Sequence, residues 1–125
     1  MFNSLQLIGH LGGDPEARYF ESGSQVTRFT IYLNERYKKD DEAKERTHRF
    51  SVECWGKTAE FATNYLHKGS RVAINGSLTE NRWSDPDGQN HSRVIVRADR
   101  IENLTPKKPG EPPAAEDTGY DPETF

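Results

Sequence analysis

Five stretches of this chain alternate apolar and polar residues with a period of two, and one stretch has a helical period. Leu5, Leu7 and Leu11 alternate with Gln6 and His10. Phe29, Ile31 and Leu33 alternate with Arg28, Thr30, Tyr32 and Asn34. Phe50, Val52 and Cys54 alternate with Arg49, Ser51, Glu53 and Trp55, and Val72, Ile74 and Leu78 with Arg71, Ala73 and Ser77. Val94, Val96 and Ala98 form the fifth set. In a strand, this period sends one set of side chains into a core and the other to the opposite face. Ile8 and Ile95 interrupt the alternation, which predicts strands covered on both faces.

The helical stretch is 57–69, where Phe61, Ala62, Tyr65 and Leu66 share a face and Gly69 is placed to supply a left-handed C-cap. Gly12-Gly13-Asp14-Pro15 and Glu21-Ser22-Gly23 read as turns, and Ser84-Asp85-Pro86-Asp87-Gly88 as a hairpin tip. Residues 38–46 read as a charged loop. Five strands with one helix between the third and fourth give the element order of an OB-fold barrel, an all-β class, whereas a β-sandwich needs no such helix.

Composition sets the boundaries. A chain of 125 residues suits one domain, and Leu, Ile, Val and Phe supply only 23 of them, a small core plus some unfolded chain. Residues 1–105, the expected barrel domain, hold 15 Lys and Arg against 15 Asp and Glu. Residues 106–125 hold two Lys, five acids, five of the seven prolines and no Val, Ile or Leu, so a disordered acidic tail is expected there. The acidity of the whole therefore belongs to a separable tail and does not exclude a nucleic-acid partner. No apolar run approaches the ~20 residues that span a bilayer, and no signal or transit peptide precedes the first strand, so a cytoplasmic protein without a membrane partner is expected.

The residues do not assemble a catalytic or metal site. Gly56-Lys57-Thr58 has the end of a phosphate loop, but Ser51 stands where that loop needs glycine. The four histidines, 10, 48, 67 and 91, lie in separate elements without metal-ligand spacing. Cys54, the single cysteine, sits at core parity and reads as a buried, inert thiol. A non-enzyme with no cofactor and no metal is expected.

What remains is a set of aromatics among cations. Trp55 shares the polar-parity face of the third strand with Arg49, Ser51 and Glu53. Trp83 follows Arg82 at the hairpin tip, and Tyr37 precedes Lys38 and Lys39. Rings stack on bases and cations neutralise phosphates, so the pattern fits single-stranded nucleic acid read without sequence preference. Each ring also has a structural explanation: Trp55 as packing at the base of the helix, Trp83 as a cross-strand hairpin contact.

Four segments, in this order and spacing, resemble the bacterial single-stranded DNA-binding protein family. They are Leu7-Ile8-Gly9-His10-Leu11-Gly12-Gly13-Asp14-Pro15-Glu16-Ala17-Arg18-Tyr19, Trp55-Gly56-Lys57-Thr58-Ala59-Glu60, Tyr65-Leu66-His67-Lys68-Gly69-Ser70-Arg71-Val72 and Asn81-Arg82-Trp83-Ser84-Asp85-Pro86-Asp87-Gly88. The resemblance covers about residues 3–104. It implies an OB-fold that assembles as a homotetramer, coats single-stranded DNA and recruits replication, recombination and repair proteins through an acidic C-terminal tip. By the same resemblance Trp55, Trp83 and Tyr37 match stacking positions, and Lys57, Lys68 and Arg82 match basic positions near the DNA path. With Lys38 and Arg49 these make the candidate DNA site, and Asp121, Pro122, Glu123, Thr124 and Phe125 the candidate partner-binding tip. The chain departs from the family in carrying Arg49 where Trp is common, Phe50 where His is common, and a tip without the usual acidic run before Ile-Pro-Phe. The second reading is an OB-fold interaction module of the primosome-accessory kind, favoured by the net-neutral body and by Glu80.

Overall fold

In a computed structural model, which describes residues 1–106, the chain forms six strands and one helix. They are β1 (Leu5–Leu11), β2 (Glu16–Tyr19), β3 (Gln25–Lys39), β4 (Glu42–Trp55), α1 (Gly56–Tyr65), β5 (Arg71–Ser84) and β6 (Asn90–Asn103). The expected tail and its five tip residues lie outside the described part. The sheet runs β1-β5-β6-β4-β3-β2, and a further β1–β3 pairing closes it. Five strands thus form the closed OB barrel that the element order predicts, and β2 is added at the outer edge of β3. Alternation did not mark β2, because all four of its residues are exposed and it has no apolar face.

The barrel interior is built from one parity of each strand. Ile31, Val52, Cys54, Val72, Ile74 and Ile101 are all essentially inaccessible. The Cys54 thiol is buried and donates to the Thr27 carbonyl at 3.5 Å. Helix α1 plugs one end with Ala59, Phe61 and Ala62, followed by Leu66. Polar groups under the helix are satisfied rather than excluded. Buried Thr27 bonds to the Thr63 hydroxyl at 2.9 Å and donates to the Ala59 carbonyl at 3.2 Å, and Gln25 donates to Thr63 at 3.1 Å. Such a network fixes the helix against β3, since a buried hydroxyl without a partner would cost about 1–3 kcal/mol.

Four expectations need correction. Residues 38–46 are not a loop: β3 and β4 pair without interruption from Val26↔Trp55 to Lys39↔Glu42. The turn is only Asp40-Asp41, both with positive φ (54° and 61°), the two-residue form whose twist matches a hairpin. Cross-strand pairing overrides the polar composition there. Gly69 does have φ +88°, but the helix ends at Tyr65 and Gly69 sits four residues on, inside a turn closed by Ser70 N–H on the His67 carbonyl. Tyr65, placed on the buried helical face, is half-exposed and covers Phe61 at 5.2 Å between centroids. Ile95 is buried as expected, whereas Ile8 is 54% exposed on the outward parity of β1.

β5 and β6 change register at Asn75/Gly76, where Gly76 faces Ala98. A Cβ on Gly76 would overlap the Arg97 carbonyl, so only glycine lets the two backbones approach. Gly76→Ala is therefore expected to destabilise the fold by roughly 2–4 kcal/mol, read as a lower urea midpoint with an unchanged slope.

Candidate nucleic-acid interface

β3–β4 and β5–β6 are hairpins whose strands are 14 or 15 residues long, and between them lies a cleft of about 510 Å³. Its floor is the outward parity of β3 and β4: Arg28, Thr30 and Tyr32 beside Ser51 and Glu53. One wall is the turn after β1, Gly12 to Asp14, and the other is Asn81, Trp83 and Arg93 of the β5–β6 arm. A Cβ on Gly12 would strike the Tyr32 ring, so this glycine gives the ring its seat at the cleft edge.

The aromatics are anchored individually. Trp55 closes β4 and occupies the N-cap position of α1, 39% exposed, with its indole N–H donating to Glu53 Oε1 at 2.9 Å. Phe20 stacks on it at 6.0 Å and 13°. Trp83 is 49% exposed and stacks on His91, its cross-strand partner, at 5.5 Å. The cross-strand contact considered for Trp83 is thus present and leaves half of the ring accessible. Arg49 lies over Tyr32, opposite it in the ladder, at 5.0 Å.

The candidate residues do not all converge. Trp83 lines the cleft, and Trp55 and Arg49 join it through Glu53 and Tyr32. Lys38 shares the parity of Arg28, Thr30 and Tyr32, farther out on the arm. Tyr37 has the opposite parity and packs under Arg46 at 5.2 Å. Arg82 and Trp83 face a second, shallower groove of about 440 Å³ on the β5–β6 arm. Arg82 is held by Glu80 at 2.5 Å. Lys57 is exposed in the first turn of α1. Lys68 is exposed beside the first wall, where its backbone N–H bonds Asp14 at 2.8 Å. Phe20, Arg28, Tyr32, His91 and Arg93 were not singled out from sequence. Arg28 and Tyr32 carried the same signal as Arg49, polar parity in a strand. His91 and Arg93 lay before the first apolar residue of the fifth set, where alternation had no purchase.

One cation of the cleft is paired: Arg28 meets Glu53 at 3.0 Å. Arg93 donates to the neutral Ser51 hydroxyl. At the arm tip the His91 ring meets Asp85 at 2.7 Å, and this hydrogen bond, with one from the Gln89 N–H, holds the Asp85 carboxyl below its ordinary value. Among the described residues no cluster of His, Cys, Asp and Glu could hold a metal ion, and no helix is long and apolar enough to cross a membrane.

Fold and surface together define an OB-barrel protein: a closed five-stranded barrel whose outer face carries half-exposed rings beside cations. The chain belongs to the single-strand binding protein family, whose model matches residues 2–104. It is 43% identical to "Single-stranded DNA-binding protein 1" of Synechocystis sp. over 85% of this chain and 86% of that one. It is also 43% identical to the "Single-stranded DNA-binding protein" of Thermosynechococcus vestitus over 97% of each. Its fold matches a Plasmodium falciparum SSB solved in complex with ssDNA, with a TM-score of 0.77 and 23% identity over 83% of this chain and 96% of that one.

The depressed Asp85 carboxyl gives a pH test. A lowered folded-state pKa contributes stability that is fully present above the ordinary value of 3.8 and is lost as pH falls through the folded one. His91→Ala should raise the Asp85 titration midpoint, measured by carboxyl carbon NMR. An unmoved midpoint would show that the ring does not hold this carboxylate.

Proposed function

We propose that this protein binds single-stranded DNA with little sequence preference, stacking bases on its exposed rings and neutralising phosphates with the cations around them. The observation that carries the reading is a pair of accessible indoles: Trp83 on the wall of the cleft between the two arms, and Trp55 hydrogen-bonded to Glu53 of its floor. Family membership and the names of the relatives support the same reading. Every base has a π-face, so rings tolerate any sequence.

Trp55→Ala and Trp83→Ala are each expected to weaken oligo-dT binding by about 1–3 kcal/mol with an unchanged far-ultraviolet dichroism spectrum. The slope of log K against log salt should be moderate, about −0.7 per phosphate neutralised, because acids accompany the cations. Fluorescence titration with oligo-dT, oligo-U and duplex DNA checks both. Binding of none of them would favour the protein-interaction module, and wild-type affinity in both variants would remove the rings from the site.

Copies of the chain associate in this reading, as a tetramer by family likeness. Its support is apolar surface that one copy leaves uncovered: Phe50, Leu78 and Val94 at core parity, and Ile8 on β1. Patches of this kind mark contact surfaces. Light scattering at micromolar concentration is expected to give a multiple of 14.3 kDa, and Phe50→Glu to lower it. A 14.3 kDa particle for the unaltered chain would overturn the assembly.

Recruitment of replication, recombination and repair proteins is assigned to the acidic tip, residues Asp121, Pro122, Glu123, Thr124 and Phe125. Its support is chemical: an aromatic beside acids suits an apolar pocket flanked by a cation. A cytoplasmic, nucleoid-associated location goes with that role.

A further inference from the structure

Glu53 is out of place in a cleft that is to receive phosphates. It lies in the cleft floor, its side chain only 11% exposed, and a buried carboxylate there repels DNA and is costly to desolvate. The geometry accounts for both of its oxygens. Oε2 receives Nε and Nη2 of Arg28, each at 3.0 Å, from the residue directly opposite in the β3–β4 ladder. Oε1 receives the indole N–H of Trp55 at 2.9 Å, two residues along the same strand face. Phe20 covers the Trp55 ring at 6.0 Å with its plane nearly parallel. The indole is therefore gripped at its N–H edge and braced by Phe20, and what stays exposed is the rest of the ring.

We propose that Glu53 is a positioning residue for base stacking: it locks the Trp55 indole for a base while neutralising Arg28, so that Arg28 does not act as a phosphate contact. The inference rests on single-stranded DNA binding as proposed above. A ring fixed before binding loses less freedom when a base arrives, which is how preorganisation raises affinity. The cost falls on charge, because an Arg that reaches into the cleft with its side chain 59% exposed is committed to a carboxylate. Stacking is thereby favoured over salt-sensitive phosphate binding at this end of the cleft.

The test uses the full chain with Trp83→Phe, so that of its two tryptophans only Trp55 fluoresces. Glu53→Gln keeps a carbonyl acceptor for the indole N–H and removes the charge, whereas Glu53→Met removes both. In the free protein, Trp55 anisotropy and protection from acrylamide should match the parent in Glu53→Gln and fall in Glu53→Met. With oligo-dT, both variants should show a salt slope steeper by about 0.7, as Arg28 is released to one phosphate. At high salt, where that gain is screened, Glu53→Met should bind roughly fivefold more weakly than Glu53→Gln, the worth of one hydrogen bond. Equal Trp55 anisotropy in the two variants would overturn the lock, and an unchanged salt slope would overturn the neutralisation of Arg28. Failure of the parent to bind oligo-dT would instead overturn the DNA-binding reading, and the free-protein anisotropy would still decide whether Glu53 holds the ring.

Discussion

Closure of the barrel rests on two short seams, and the rest of the molecule follows from where they lie. β1 meets β3 only at His10↔Tyr32 and Leu11↔Ile31, and β4 meets β6, in parallel, only at Val52↔Val96 and Glu53↔Arg97. Around these seams core parity means burial, as at Ile31, Val52 and Val96. β3–β4 and β5–β6 continue well past them, and there the same parity has no interior to enter. Phe50 and Val94, each two residues beyond the β4–β6 seam, are exposed for that reason. The seams thus create both the cleft between the arms and an uncovered apolar end.

An arm of two strands is marginal in water unless its side chains add to the ladder. Both arms are laced across the strands. His48 bonds Glu35 at 2.7 Å, Arg46 covers Tyr37, and Trp83 stacks on His91 while Asp85 holds the His91 ring. The contacts that steady the arms therefore involve several of the rings offered as stacking surfaces. Rigidity and accessibility are combined by covering one part of a ring and leaving the rest.

Charge is handled in the same economical way. The body holds equal numbers of cations and anions, and the ion pairs Arg28–Glu53, Arg82–Glu80 and Arg100–Glu102 join residues close together on β3–β4, β5 and β6. Exposed pairs such as Arg82–Glu80 contribute little to stability. Their effect on a polyanion is larger, since each carboxylate cancels a cation at the place where a phosphate would lie. In the proposed function this shifts the source of affinity from counterion release toward ring contact.

The five barrel strands, their parity and the single helix were determined by sequence alone, because a period of two in apolar residues has one physical solution when a core exists. Trp55 and Arg49 were singled out through that same parity, and Trp83 through its place beside Arg82 at the hairpin tip. β2 escaped because a strand exposed at every residue has no apolar period, and residues 38–46 at the end of the β3–β4 arm read as a loop because their charged side chains are held by pairing, not by burial. What only the tertiary structure decided is which polar residues meet. Arg28 and Glu53 stand 25 positions apart and Trp83 and His91 lie on different strands, so their contacts follow from register. Register is set by where the seams close and where Gly76 shifts the ladder, and these are properties of the packed barrel that no local pattern encodes.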